Sequence, residues 1–299
     1  MVERLNFDDE ISRNKWKSFF LMMGVIVIII LLGFIISQVV DPGLFFFIMI
    51  LSIIFSLAYT LISYYNADKI ALASVNAKPA SKTEHRALYN AVENMSIASG
   101  LPMPKVYVME SDQINAFASG RDPQHSVICV TTGALDKLNK QELEGVIAHE
   151  MSHVANYDIR FMTLTTVLIG MIAIISEIFL RSLWFRGRDD RDKGNGIFLI
   201  IGIVFAILAP ILANLVALAI SRKREFAADA SGVKFTRYPP GLRSALETIR
   251  DEHIPREDVK RYPKAVAPLF ISDPFKKKLQ TLFSTHPDIN DRIARLNKM

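Results

Sequence analysis

The sequence is short of cysteine: Cys129 is its only one, so an internal disulfide bond is excluded. Cys129 lies in a short apolar run typical of a β-strand, and we interpret it as a small buried hydrophobic residue. Internal repeats, low-complexity tracts and nucleic-acid-binding motifs are also missing from the sequence. The net charge of +5 therefore says little about partners, and we expect no nucleic acid among them.

Charged residues are almost absent from four long apolar blocks. The blocks are Phe19–Val40, Leu44–Tyr65, Phe161–Leu180 and Ile197–Ile220. The third block carries one charge, Glu177 near its end, and the other blocks carry none. Because about 20 apolar residues cross ~30 Å of hydrocarbon, the sequence predicts four transmembrane helices in a lipid bilayer. The first block has no small-residue cleavage site close behind it, so we expect a retained span rather than a removed signal peptide.

The distribution of basic residues predicts how the chain is oriented in the membrane. The first span is preceded by Arg4, Arg13, Lys15 and Lys17, which favours a cytoplasmic N-terminus. Only Asp41-Pro42-Gly43 separates the first two spans, so the chain returns to the cytoplasm for residues 66–160. The loop between the third and fourth blocks runs against the rule, because it carries Arg181, Arg186, Arg188, Arg191 and Lys193. The second hairpin therefore either crosses the membrane fully, which we favour, or enters it without crossing.

The stretch His149-Glu150-Met151-Ser152-His153 can bind a catalytic zinc ion and supply its base. On a helix, positions four apart lie on one face, so both imidazoles can reach the same ion. Glu150 lies one position round the helix, close enough to touch a water molecule at the metal. The flanking residues favour a helix, since Asn139 and Glu142 form a capping box at its start. The alternative is a helix whose histidines and glutamate merely face solvent.

A zinc enzyme of this type needs a third protein ligand, and Glu225 is the candidate. Asp229 lies four residues further along the same helical face, where it could accept a hydrogen bond from a ligand imidazole. The alternative is a charged helix at the point where the chain leaves the membrane. The second membrane hairpin returns the chain to the side that it left, so Glu225 and the paired histidines can meet at one membrane face.

The part between the hairpins also predicts a helix and a small sheet. The helix is expected over Glu84–Ser99, with Gly100 as its stop, and strands over Lys105–Met109, Ile114–Ala118 and Ser126–Thr131. An edge of this sheet could take up an extended substrate as an added strand, with Asn115 and Ala116 as candidate backbone contacts. Ordinary sheet packing is the alternative.

The C-terminal part is predicted to be mostly helical. Its apolar residues recur at helical spacing in two places, Leu242, Ala245, Leu246 and Ile249, and then Ile289, Ile293 and Leu296. Pro287 suits the first turn of the last helix. Basic residues outnumber acidic ones over residues 221–299, which fits a surface beside anionic lipid headgroups.

These features divide the chain into four parts. Residues 1–65 form an N-terminal segment and a transmembrane hairpin, and residues 66–160 form a cytoplasmic catalytic part with the HExxH helix. Residues 161–220 form the second hairpin, and residues 221–299 form a cytoplasmic helical part with the third zinc ligand.

These motifs together resemble the HtpX family of bacterial membrane zinc peptidases, relatives of the CAAX prenyl endopeptidase and the mitochondrial OMA peptidase. The resemblance is carried by the two N-terminal spans, Asn115-Ala116-Phe117, His149-Glu150-Met151-Ser152-His153, a membrane hairpin, the stretch from Ser221 to Asp229, and Thr285-His286-Pro287. It implies a mainly α membrane protein whose α+β catalytic domain is zincin-like, of the gluzincin kind, with a small β-sheet beside the HExxH helix.

The resemblance also implies a role for each site residue. His149, His153 and Glu225 would bind one zinc ion per subunit, with Asp229 supporting them. Glu150 would act first as general base and then as general acid. His286 and Arg222 match positions near the cleft in relatives, so either could stabilise the oxyanion. A helix cap and a headgroup-facing charge are the respective alternatives for these last residues.

The implied function is an endopeptidase that degrades misfolded or damaged membrane proteins as part of a stress response. It would be a multi-pass protein of the bacterial inner (plasma) membrane with its active site facing the cytoplasm. One alternative is a processing protease with a narrow substrate, such as a prenylated or signal-like peptide. Another is a zinc-binding membrane scaffold that no longer cleaves, although a scaffold has no need of Glu150. The oligomeric state is not predicted by the sequence.

Overall fold

A computed structural model describes residues 7–39, 42–168, 222–252, 269–272 and 287–299 of the chain. Two long helices come first, α1 (Phe7–Val39) and α2 (Phe45–Ser74), and they pack against each other. Both contain a segment long and apolar enough to cross a membrane, Ile11–Leu31 in α1 and the whole of α2. Large apolar side chains such as Phe46 and Ile62 are exposed on these helices, as contact with lipid requires.

Only part of the predicted membrane region falls within these residues. The first two predicted spans lie within α1 and α2 with two exceptions: Val40 lies outside the described residues, and Leu44 ends a short 3-10 turn before α2. Of the block Phe161–Leu180, residues up to 168 are described, and they are helical. The block Ile197–Ile220 lies wholly outside the described residues, so four spans and the crossing of the second hairpin stay predictions.

A mixed sheet of four strands follows α2. Its strands are β1 (Lys78–Pro79), β2 (Lys105–Met109), β3 (Ala116–Gly120) and β4 (Ser126–Thr131). The spatial order is β1-β2-β4-β3, in which β2 and β4 run parallel and the other neighbours run antiparallel. The strand β3 therefore lies at one side of the sheet.

Seven helices accompany the sheet in the described part of the chain, and the one that contains the paired histidines lies at their centre. They are α3 (Arg86–Ser99), α4 (Thr132–Lys137), α5 (Lys140–Ala155), α6 (residues 158–168), α7 (Arg222–Thr236), α8 (Pro239–Asp251) and α9 (Ile289–Leu296). The helix α5 contacts α3, α7, α8 and β3, so it is buried on nearly all sides. The apolar residues that the sequence predicts on one face of α8 are all buried in this core.

Side-chain alternation gives the two faces of the sheet different neighbours. On one face, Ile128 and Val130 of β4 pack with the apolar residues of α3 and α5. On the other face, Val127 and Cys129 pack with Ala71, near the end of α2. Cys129 is fully buried, which confirms its interpretation as a small hydrophobic residue, and this burial raises the pKa of its thiol. The sheet thus lies between the second long helix, α2, and the helices α3 and α5.

The predicted strands Lys105–Met109 and Ser126–Thr131 are confirmed at both ends. The strand predicted over Ile114–Ala118 is wrong in its bounds, because β3 begins at Ala116 and continues to Gly120. The reason lies in side-chain contacts before β3. The backbone N–H of Ile114 donates to the carboxylate of Glu252 at 2.9 Å, and that of Asn115 donates to Thr131 Oγ1 at 2.9 Å.

Helix ends agree with the sequence in some places and differ in others. The helix α3 ends at Gly100, which adopts a left-handed φ of 70°, as predicted, but the helix begins at Arg86 rather than Glu84. The last helix, α9, begins at Ile289 with Asp288 as its N-cap, so Pro287 precedes the cap and the prediction that it lies in the first turn is wrong. The capping box of Asn139 and Glu142 at the start of α5 is confirmed.

Candidate metal centre

The helices α5 and α7 lie close enough for their backbones to touch at Gly232. A Cβ atom added to Gly232 would lie 3.0 Å from the backbone nitrogen of His149 and 3.3 Å from its Cα. Glu225 precedes Gly232 by two helical turns, so it lies on the same face of α7. The small residue therefore lets α7 bring Glu225 against the face of α5 that carries His149 and His153.

The side chains of His149, His153 and Glu225 form a compact set of metal-ligating atoms. Each residue offers one ligand atom, and these atoms lie within 4.8 Å of one another. The two Nε2 atoms are 3.3 Å apart, and the carboxylate oxygens of Glu225 lie 3.5 Å from His149 Nε2 and 3.7 Å from His153 Nε2. Ligands at ~2.0–2.2 Å from one tetrahedral zinc ion lie about 3.3–3.6 Å apart. The spacing and the donor types therefore fit one zinc ion.

Each imidazole turns its second ring nitrogen towards a buried carboxylate. His149 Nδ1 donates to Asp229 Oδ1 at 2.9 Å, and His153 Nδ1 donates to Asp158 Oδ2 at 3.1 Å. A carboxylate in this position holds the tautomer whose Nε2 is free to bind a metal. The contact of Asp229 lies where the helical spacing predicts it. The sequence did not indicate Asp158, since a carboxylate that follows the end of α5 gives no periodic signal.

A buried arginine, Arg292 of α9, completes the surroundings of His149. Its guanidinium makes two hydrogen bonds to Asp229, from Nε at 2.9 Å and from Nη2 at 2.7 Å. Its Nη1 also lies 3.9 Å from Glu225 Oε2. Sequence reasoning missed Arg292, although a signal was present. The residue lies three positions after Ile289 and one before Ile293, which puts a cation on the apolar stripe of α9.

Opposite charges set the protonation of these groups. Burial and Arg292 lower the pKa of His149, but the carboxylates of Asp229 and Glu225 raise it more, to about 9. Burial raises the pKa of Asp229, but Arg292 and His149 lower it by more, so that this pKa falls to about 2. A metal ion binds the neutral imidazole, so a metal at this site competes with the proton that the two carboxylates favour on His149.

Glu150 is buried beside the three ligand side chains. One oxygen, Oε2, accepts a hydrogen bond from the backbone N–H of Ala118 in β3 at 2.7 Å. The other, Oε1, accepts no hydrogen bond from any residue within the described ranges. Burial raises the pKa of Glu150, although His149 and His153 lower it. A buried carboxylate with a raised pKa and an oxygen left to bind water has the properties of a general base.

The structure places Asn115 and Ala116 at the start of β3, in contact with another part of the chain. Asn115 Nδ2 donates to the carbonyl of Ser272 at 3.0 Å, and its Oδ1 accepts from the N–H of Ala116 at 3.1 Å. The carbonyl of Ala116 accepts from the N–H of Ile271 at 2.9 Å. The chain's own residues 269–272 therefore contact this end of the strand, and a role of Asn115 and Ala116 in binding substrate stays a prediction.

Of the two predicted oxyanion residues, Arg222 lies within the described residues and is not part of the metal-ligating set. Arg222 is exposed at the beginning of α7, one turn before the buried Glu225. His286 lies outside the described residues. Both roles stay predictions, and Arg292 is the arginine that the structure places against His149 and Glu225.

Comparison with known proteins gives matches over most or all of the chain. The sequence model of Peptidase family M48 matches residues 82–299. A Protease HtpX homolog of Thermoanaerobacter pseudethanolicus is 43% identical over an alignment of 293 residues that covers 96% of this chain and 96% of its own. A Protease HtpX homolog of Dictyoglomus thermophilum is 43% identical over 298 residues, covering 100% of this chain and 96% of its own. The crystal structure of S. mikatae Ste24p matches with a TM-score of 0.49 and 20% identity, over 96% of this chain and 66% of that chain.

Proposed function

The chain belongs to peptidase family M48 and is a membrane metalloprotease, and from this premise we propose a zinc-dependent integral membrane endopeptidase that hydrolyses misfolded or damaged membrane proteins. The observation that carries the proposal is the buried convergence of His149, His153 and Glu225 beside the carboxylate of Glu150. Two imidazoles and one carboxylate are the ligand set of catalytic zinc sites that leave a further position for water.

In this proposal His149, His153 and Glu225 hold one zinc ion per subunit, and Asp229 and Asp158 orient the two imidazoles. Bound zinc supplies Lewis-acid chemistry, which makes water a stronger acid and polarises a carbonyl group. The fit of the ion rests on the donor spacing and on Glu150 Oε1, a buried acceptor without a hydrogen bond from the described part of the chain.

Glu150 moves the proton during hydrolysis. Its carboxylate accepts a proton from the attacking water, and it later gives that proton to the departing amine. The hydrogen bond from Ala118 holds one oxygen in place while the other remains able to accept. Burial raises the pKa of Glu150, which makes its carboxylate a stronger base towards the proton of water. We assign oxyanion stabilisation to His286 or Arg222 and backbone contacts with substrate to Asn115 and Ala116.

The proposed location is the bacterial plasma membrane, with several spans and the active site on the cytoplasmic side. Two features support this orientation. Arg13, Lys15 and Lys17 lie at the beginning of α1, which favours the cytoplasm for that end. Asn14, in the same turn, contacts Asp158 beside the metal centre, so the site lies at the level of that end.

Proteolysis by purified full-length protein in detergent tests the function. Wild-type protein should cleave an unfolded substrate such as casein, and a zinc chelator should stop the cleavage. Glu150→Gln should keep zinc, measured by metal analysis after dialysis, but lose about 10²–10⁴-fold in rate. Glu225→Ala should lose both zinc and cleavage. Glu144→Gln is the control, because this carboxylate lies on the same helix but contacts Asn94 instead of the site.

Cleavage by the Glu150→Gln protein at the wild-type rate would refute the assignment of the base. Two other functions remain open to the same assay. A processing protease would cleave only one of several unrelated membrane proteins, whereas the proposed function predicts that most unfolded ones are cleaved. A scaffold would bind zinc without cleaving any of them, an outcome that the buried Glu150 disfavours.

A further inference from the structure

The first membrane helix reaches the metal centre through Asn14. This side chain is fully buried, and it lies in α1, inside the candidate span Ile11–Leu31. Its Nδ2 donates to Asp158 Oδ1 at 2.7 Å and to the backbone carbonyl of Asn156 at 3.0 Å. Both acceptors lie in residues 156–158, the connection that leads from the end of α5 into the first residue of α6.

A fully buried amide needs a reason, because a buried polar group without a hydrogen bond costs free energy. The donor end of Asn14 is satisfied by the two acceptors of the connection. The oxygen Oδ1 accepts no hydrogen bond within the described residues, so the donor end is the one that this fold uses. An apolar residue of similar size would pack in the same place without leaving that oxygen unpaired. The amide is therefore better explained by what it holds than by packing alone.

What Asn14 holds is the carboxylate that orients His153. The second oxygen of Asp158, Oδ2, accepts from His153 Nδ1 at 3.1 Å. Asp158 Oδ1 also lies 3.8 Å from the Nε of the buried Arg224. Since one oxygen is held by Asn14 and the other binds the imidazole, the plane of the carboxylate is fixed from both sides.

The backbone of the same connection is also held by α1. Tyr157 adopts a φ of 57°, a left-handed conformation that is unfavourable for a bulky residue and persists only where its surroundings impose it. Asn14 binds the carbonyl on one side of Tyr157, and the Nζ atom of Lys15 lies 4.6 Å from the centre of its ring. The contacts from α1 therefore converge on the turn that delivers Asp158 to His153.

We propose that Asn14 is a positioning residue of the zinc site, which fixes Asp158 and through it the imidazole of His153. This inference rests on the proposed function, because it assumes that His153 is a zinc ligand. In this proposal α1 both anchors the protein in the membrane and positions a residue of the metal centre. The predicted consequence is that a change within α1 alters the affinity for zinc.

The test compares zinc binding by Asn14→Leu and by wild-type protein, both full length in detergent. The leucine keeps the volume of the side chain but removes the donor. Ser18→Ala is the matched control, since Ser18 is also buried one turn further along α1 and, among the residues that the structure describes, its hydroxyl bonds the carbonyl of Asn14 alone. Zinc affinity is measured by competition with a chelator, the ligand geometry by the visible spectrum of Co²⁺-loaded protein, and folding by the melting temperature.

We expect Asn14→Leu to lower zinc affinity by about tenfold, as the loss of outer partners of metal ligands does elsewhere. Its Co²⁺ spectrum should shift, whereas Ser18→Ala should match wild-type protein in both measurements. In an Asp158→Asn background, Asn14→Leu should cause no further loss, because Asn14 acts through that carboxylate. A merely structural role would lower the melting temperature and leave the affinity and spectrum unchanged.

Each other outcome decides the inference. Wild-type affinity in Asn14→Leu, or a loss that adds fully to that of Asp158→Asn, would overturn it. If Asn14→Leu does not fold, Asn14→Ala takes its place, and failure of both to melt cooperatively assigns Asn14 to folding and overturns the proposal. Failure of the proposed function is recognised separately, because wild-type protein would then bind no zinc or the Glu150→Gln protein would still cleave.

Discussion

The two imidazoles of the metal centre are supported in different ways by different parts of the molecule. His149 is held by Asp229, which is paired with the buried cation of Arg292 in the C-terminal helix. His153 is held by Asp158, whose other oxygen accepts from the neutral amide of Asn14 in the first membrane helix. Both supports consist of a carboxylate and a hydrogen-bond donor, but the donor to Asp229 is a guanidinium, whereas the donor to Asp158 is a neutral amide and its nearest arginine, Arg224, lies 3.8 Å away.

This difference predicts how much each half of the site contributes to the stability of the fold. The removal of one partner from a buried ion pair costs about 3–5 kcal/mol, because it leaves a charge without compensation. The removal of a neutral donor from a charged acceptor costs about 1.5–3 kcal/mol. We therefore expect changes near His149 to cost more stability than the matching changes near His153.

The largest effect is expected when the charged support is broken by Arg292→Met. The buried carboxylate of Asp229 then loses both hydrogen bonds from the guanidinium. We expect the free energy of unfolding to fall by about 3–5 kcal/mol. Thermal melting in detergent measures this change.

The control for that experiment is Arg295→Met on the same helix. Arg295 is exposed and lies over the ring of Phe226, with 3.6 Å between its guanidinium carbon and the ring centre. This change should lower the melting temperature far less. Equal losses from the two arginines would mean that α9 as a whole, rather than the pair with Asp229, stabilises the protein.

The same substitution of the two carboxylates, Asp158→Asn and Asp229→Asn, compares the two supports directly. Each amide is a poorer acceptor for the imidazole Nδ1–H, so zinc affinity should fall about 10–100-fold in both. The melting temperature should fall more for Asp229→Asn, because Arg292 makes two short hydrogen bonds to Asp229, whereas Arg224 lies 3.8 Å from Asp158. Chelator competition and melting curves on the same preparations give both quantities. Equal losses of stability would remove the distinction between the supports.

The smallest effect is expected from Lys15→Met on the membrane side. Lys15 is exposed and contacts the ring of Tyr157, an interaction worth about 0.5–1 kcal/mol at such sites. The melting temperature should fall slightly, and zinc affinity should stay at the wild-type value, since Asn14 still holds Asp158. A loss of affinity comparable with that of Asn14→Leu would indicate that the whole turn, rather than the amide, positions His153.

The sequence was most informative where the structure depends on neighbours along the chain. The capping box of α5 was predictable because its two residues lie three positions apart on one helix. The contact of Asp229 with the site was predictable from its spacing to Glu225. The start of β3 was not, because the backbone N–H groups of Ile114 and Asn115 bond side chains from elsewhere in the fold.

Three properties of the sequence by itself determined the class of protein and the metal-ligating residues of the site. They are the stretch from His149 to His153, the long apolar blocks and the helical spacing of apolar residues. Only the tertiary structure decided that α7 lies against α5 at Gly232, that Arg292 pairs with Asp229, and that Asn14 binds Asp158. Local patterns follow from the geometry of one helix or strand. Contacts between elements depend on how their surfaces fit, and no spacing along one chain segment encodes that fit.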